Sequence, residues 1–195
     1  MRNLEELNGK FKDKPVFIIA AGPSINDLDL TPLKDHITIA VNSGYVAYPS
    51  ANFFISDDKN IVNWSYFSEE LKRNKQTTPL LYEDKVPNLF GDRTIFFKHR
   101  LGRNITDRYS HSMYNEYIVQ ATTSVGTAIH IAWIAGSNLI VLLGVDCQLT
   151  KNGMKYFWQE KNAKYKIPTG PTKHRDETKA GNLEPTLADI KLYWE

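Results

Sequence analysis

The chain has 195 residues, of which 42% are hydrophobic and 24% charged, with a formal net charge of +2. That is enough chain for a core of ordinary size in one domain spanning residues 1–195, and so small a net charge makes no electrostatic case for nucleic acid or a membrane surface as partner. Cys147, the single cysteine, leaves no disulfide framework or Cys-based zinc site, and no apolar run approaches the roughly 20 residues needed to span a bilayer.

The first 14 residues are charged and contain no apolar signal core. With one cysteine, this points to a reducing, cytoplasmic setting. Val16 to Ala20 is a short apolar run rich in β-branched residues, as expected of a parallel strand covered on both faces. It breaks into Ala21-Gly22-Pro23-Ser24, a small-residue turn of the kind that lets backbone approach a phosphate. The turn is neither a Gly-x-Gly-x-x-Gly fingerprint nor a Walker sequence. Thr31-Pro32 reads as an N-cap with proline at the first helical position.

Further strands are predicted at Ile37–Val41, Asn52–Ser56, Pro79–Tyr82, Thr94–Phe97 and Leu139–Leu143. Between them, Asn63 to Lys75 reads as a surface helix with Trp64, Phe67 and Leu71 on one side. Ser124 to Ala135 reads as a helix capped by Thr123 or Ser124 and stopped by Gly136. Strands alternating with helices argue for an α/β fold, Rossmann-like and doubly wound, with a mainly parallel sheet. From Gln148 to Leu183 no period survives, which predicts an irregular lid segment over about 148–183. Leu187, Ile190 and Trp194 then have helical spacing, and the pattern stops without a cap, as in a fragment or a domain trimmed of its last βα element.

In a doubly wound sheet the loops after the strands converge on one edge. Those loops carry Gly22, Pro23 and Ser24; Asn42 and Ser43; Asp57 and Asp58; and Gly144 and Asp146, with Thr123 and Ser124 opening the adjacent helix. Ser24 can donate to a phosphate, and Asn42 offers both a donor and an acceptor to a base or ribose edge. The aspartates can accept from sugar hydroxyls or hold a divalent ion through water. Ser124 at a helix N-terminus adds free N–H groups and the dipole. Asp146 has two readings, a ribose ligand or an anchor for its own loop.

With these segments in order, the chain resembles two related groups. One is the bacterial CMP-sialic-acid-dependent sialyltransferases, through Gly22-Pro23-Ser24, Asn42, Ser124 and Gly144-Val145-Asp146, and through Asn152 to Phe157 as a lid start. The other is the 6-hydroxymethylpterin diphosphokinase-like family, which includes proteins linked to flagellin glycosylation, through the same turn, Asp57 and Ser124-Val125. The sialyltransferases have Asn where this chain has Ala21, and their third strand is followed by Asn-Pro rather than Ser56-Asp57. Their catalytic histidine lies shortly before the C-terminal helix, whereas His174 here falls about ten residues earlier.

The first resemblance implies a glycosyltransferase that takes a nucleotide-activated sugar, with Tyr156 at the donor phosphate and His174 as general base. No metal or other cofactor is required in that reading. The second implies diphosphoryl transfer from ATP to a pterin-like alcohol, with Mg²⁺ held by Asp57, Asp58 or Asp146. A third reading is a catalytically inactive nucleotide-binding domain. The partner expected in each case is a nucleotide or nucleotide-sugar, with a homo-oligomer as a further expectation. His99, Arg100, Arg103, Arg108 and His111 form a basic stretch suited to an acidic substrate.

Overall fold

A computed structural model describes residues 2–83, 90–100, 117–119 and 123–167. Among them are eight strands: β1 (Arg2–Asn3), β2 (Pro15–Ile19), β3 (Ile37–Val41), β4 (Phe53–Ser56), β5 (Thr78–Tyr82), β6 (Ile95–Arg100), β7 (Tyr117–Val119) and β8 (Leu139–Leu143). Every described pairing is parallel. The order runs β8-β2-β3-β4-β5-β6-β1, with β7 also paired to β6. The chain therefore winds outward from β2 to β6 and then returns to lay β8 on the opposite side of β2. This reversal is a topological switch point.

The α-helices are α1 (Gly44–Ala47), α2 (Lys59–Asn63), α3 (Ser65–Arg73) and α4 (Ser124–Ile134). They cover both faces of the sheet. On one face Val16, Ile18, Ile39, Val41, Ile55 and Leu80 pack against Ala128, Ile131, Ala132 and Ala135 of α4. On the other, Ala40, Phe54, Leu81 and Phe96 pack under Trp64, Phe67 and Leu71. Alternate residues of one strand thus go to opposite layers, and both layers are apolar, which is why the strands read as continuous hydrophobic runs.

The predicted elements are found with shifted ends. The expected helix from Asn63 is interrupted at Trp64, whose ψ of 124° is extended, so α2 ends before it and α3 starts after it. The C-terminal end of α3 is held by a side chain far along the chain. The Arg93 guanidinium donates to the carbonyls of Asn74 at 2.7 Å, Thr77 at 2.8 Å and also Leu71. Two pieces of sheet, β1 and β7, were not anticipated. Both are very short and take their place from pairing with β6 rather than from any pattern of their own. The Pro185–Glu195 stretch and the second half of the expected lid lie outside the described residues.

Candidate functional site

A cavity of about 350 Å³ opens at the carboxyl edge of the sheet, beside the switch point. Backbone hydrogen bonds fix its floor. The Ala20 N–H donates to Leu143 O at 2.8 Å and the Gly22 N–H to Gly144 O at 2.7 Å, carrying the β2–β8 ladder past the strand ends. Asp146 Oδ2 then accepts the Ser24 N–H at 3.0 Å. Gly144 is required here twice over: its φ is +67°, and a Cβ would meet Ala20 O at 2.8 Å.

The second wall comes from the turn after β3. Asn42 has a φ of 50°, in the left-handed region that asparagine tolerates better than most residues. Its Nδ2 donates to Ser124 Oγ at 3.4 Å, across to the start of α4. Its Oδ1 is buried, with no hydrogen-bond partner among the described residues. Thr123 caps α4 by accepting the Gly126 N–H on its hydroxyl at 3.2 Å. Thr123, Ser124 and Val125 line the cavity, so the positive end of the helix dipole faces it. Asp57, after β4, accepts the Thr127 hydroxyl on Oδ2 at 3.1 Å. Thr127 belongs to α4, so this bond ties the third loop to the same helix.

The segment after β8 supplies the remaining wall. Tyr156 and Trp158 are stacked in parallel, with ring centroids 4.4 Å apart and planes 5° from each other. Between them Phe157 is turned into the core, fully buried. Lys155 also lines the cavity, its ammonium 5.3 Å from the Tyr156 ring centroid. Burial pushes the Lys155 ammonium below the usual lysine range. The Cys147 thiol is pushed up by burial and further by the charge of Asp146.

Of the residues singled out from sequence, Gly22, Asn42, Ser43, Asp57, Thr123, Ser124, Gly144, Asp146 and Tyr156 all line this cavity, and Asp58 joins them. Pro23 and Ser24 are not among the lining residues. The Ser24 N–H donates to Asp146 Oδ2. The anchoring alternative for Asp146 is thus present in the structure. Gly22 faces the cavity but is hemmed in by protein, since a Cβ there would lie 2.3 Å from Asp146 Oδ2. His174, Arg103, Arg108 and His111 lie outside the described residues.

The structure adds Trp158, Gln148 and Thr127 to the residues expected at or around the site. Trp158 had no periodic signal, since it sits in the irregular stretch after β8, within the 3-10 turn Phe157–Gln159. Thr127 had none, since its partner Asp57 is 70 residues away. Among the described residues, no group of three or more His, Cys, Asp or Glu side chains is arranged to hold a metal ion. No described helix is long and apolar enough to cross a membrane.

No family model matches this chain, and no curated protein matches it. Among solved structures, it is similar to the MAf glycosyltransferase from Magnetospirillum magneticum AMB-1, with a TM-score of 0.51 and 17% sequence identity. The alignment covers 74% of this chain and 24% of that one, so the chain spans about a quarter of that protein's length. At this identity the likeness concerns the fold alone.

Proposed function

We propose that the chain is a glycosyltransferase-like enzyme of the sialyltransferase-like type, taking a sugar from a nucleotide-activated donor. One observation carries this reading. The N-terminus of α4, the Lys155 ammonium and the stacked Tyr156–Trp158 pair all line one cavity at the switch point of the sheet. The helix end and the ammonium suit an anion, and the aromatic pair suits a planar or apolar ring face. The likeness in fold to a MAf glycosyltransferase supports the glycosyltransferase-like part of this reading.

In this reaction the bond between the anomeric carbon and the donor phosphate oxygen breaks, its electron pair staying with the departing nucleotide. The acceptor hydroxyl oxygen forms the new bond to carbon and gives up its proton to a base. Ser124, Lys155 and Tyr156 stabilise the charge left on the phosphate, electrostatic work that a preorganised site does best. His174 is the base in this proposal, imidazole being the side chain type suited to proton transfer near neutrality.

A second reading, diphosphoryl transfer from ATP, draws on Asp57 and Asp58, which line the same cavity and are of the residue type that binds Mg²⁺. Thermal shift with CMP, CMP-sialic acid, UDP-sugars, GDP-sugars and ATP, each with and without Mg²⁺, separates the two. A ligand at about 100 times its dissociation constant stabilises a fold by roughly 2.7 kcal/mol. Metal-independent stabilisation by a cytidine nucleotide is the expected result. A response confined to ATP with Mg²⁺ would overturn the glycosyltransferase reading, and binding without sugar turnover would point to an inactive nucleotide-binding domain.

A further inference from the structure

Asn26 lies outside the cavity, in the 3-10 turn Pro23–Asp27 that follows β2. Its carboxamide is nonetheless spent almost wholly on the segment that forms the aromatic wall. Nδ2 donates to the backbone carbonyl of Phe157 at 3.0 Å and to Glu160 Oε2 at 2.7 Å. Oδ1 accepts the backbone N–H of Lys164 at 3.0 Å. A carboxamide has two N–H donors, so both are committed across a gap of more than 130 residues in sequence.

The attachment point decides what this does. Phe157 also donates its own N–H to Ala21 O at 3.0 Å. Both polar groups of residue 157 are therefore held by the turn after β2, and its ring is buried. Tyr156 and Trp158 flank this pinned residue, and both line the cavity. Gln159 tightens the same stretch, its Oε1 accepting the N–H groups of Lys155 at 2.6 Å and Tyr156 at 2.7 Å. The turn that carries Asn26 is itself tied to the cavity floor through the Ser24 N–H and Asp146.

We propose that Asn26 is a positioning residue: by clamping Phe157, Glu160 and Lys164 to the turn after β2, it holds Lys155, Tyr156 and Trp158 against the ligand cavity. It touches no ligand and acts only through the aromatic wall. The ligand part of this inference rests on the reading of the cavity as a nucleotide-sugar site, whereas the clamp does not.

The test uses Asn26→Ala and Asn26→Asp in the full chain labelled with 5-fluorotryptophan, the Trp158 resonance being assigned with Trp158→Phe. Asn26→Asp retains the acceptor for Lys164 while losing both donations, and it occupies the same space. Both variants are expected to move the Trp158 fluorine signal toward the value of a solvent-exposed indole. The Trp64 signal, from the packed layer over the sheet, is expected to stay in place. With CMP as probe, the dissociation constant is expected to rise about tenfold, as loss of hydrogen bonds worth about 1.4 kcal/mol would produce. Amide exchange in β2 and β3 is expected to remain at wild-type protection, which a general loosening of the fold would not allow.

An unmoved Trp158 signal in both variants would overturn the clamp, as would movement of all tryptophan signals together. If wild-type protein fails to bind CMP, the nucleotide-sugar reading loses its support while the fluorine measurement still decides the clamp. A moved Trp158 signal with unchanged CMP affinity would overturn the positioning role. Should Asn26→Ala not fold, the isosteric Asn26→Asp carries the same comparison.

Discussion

Replacing Gly22 by alanine offers a direct test of how the cavity floor is built. An added Cβ would lie 2.3 Å from Asp146 Oδ2, 2.9 Å from Asp146 Cγ and 2.6 Å from Gly144 O, where ordinary contact begins at 3.4 Å. The Asp146 side chain is the softer obstacle and would be driven out, leaving the Ser24 N–H without its carboxylate. Overpacking of this kind costs about 1–3 kcal/mol, and loss of a hydrogen bond to a charged group about 1.5–3 kcal/mol. The sum, about 2.5–6 kcal/mol, is a large part of the 5–15 kcal/mol typical of a folded protein. At about 2–4 °C per kcal/mol for a chain of this size, Tm should fall by roughly 5–24 °C, measured by calorimetry. Because one obstacle is the Asp146 side chain, Gly22→Ala and Asp146→Gly should be sub-additive by about 1 kcal/mol in a double-mutant cycle. The backbone carbonyl of Gly144 does not yield, so the double variant stays below wild type. A Gly22→Ala protein melting within about 2 °C of wild type, or strictly additive costs, would refute this account of the glycine.

Other consequences are as direct. Arg93→Lys should destabilise the protein by about 2–3 kcal/mol in urea unfolding, since one ammonium cannot span the carbonyls of Leu71, Asn74 and Thr77 that the planar guanidinium reaches together. For Lys155, burial lowers the folded-state pKa below the usual lysine range, so the folded state sheds this proton first. The stability penalty of burying the charged form is then fully present at neutral pH and is relieved as pH rises through the lowered value toward the unfolded one. Binding of an anionic probe runs the other way: CMP affinity by titration calorimetry should fall as pH rises through the same window, and Lys155→Met should flatten that dependence. Cys147 should react slowly with a disulfide reagent at pH 8, because burial and Asp146 both hold the thiol protonated, and Asp146→Asn should quicken it.

The strand ends were legible because the chemistry that ends a strand here is also the chemistry that lines the cavity. Gly22, Asn42, Asp57 and Gly144 each follow an apolar run directly, so finding the runs finds the loops. What those residues do there was less legible. Gly22 read as making room for a ligand, whereas its immediate neighbour is Asp146, and the Ser24 N–H meets a carboxylate from a loop 122 residues away. Nothing local in Ser24 or Asp146 encodes that pairing. The clamp by Asn26 and the support of Asp57 by Thr127 were hidden for the same reason. The interruption of the surface helix at Trp64 escaped a reading by periodicity because the residues on both sides keep helical spacing.

The adjacency of β2 and β8 has a consequence for the order in which the molecule is made. Residues 15–19 leave the ribosome well before residues 139–143, their partner on one side, and the pairing closes a loop of some 120 residues. Contacts of that span are slow to form and are made late. The β2–β6 run can assemble as it emerges, with each strand finding the one before it. The cavity cannot, because Gly144, Asp146, Lys155, Tyr156 and Trp158 all follow the crossover to β8. Until β8 docks, the side of β2 that will carry the switch point is an open apolar edge, inviting pairing with other chains during synthesis. A nascent chain therefore becomes prone to aggregation before it becomes able to bind, and both conditions end at the same step, the docking of β8.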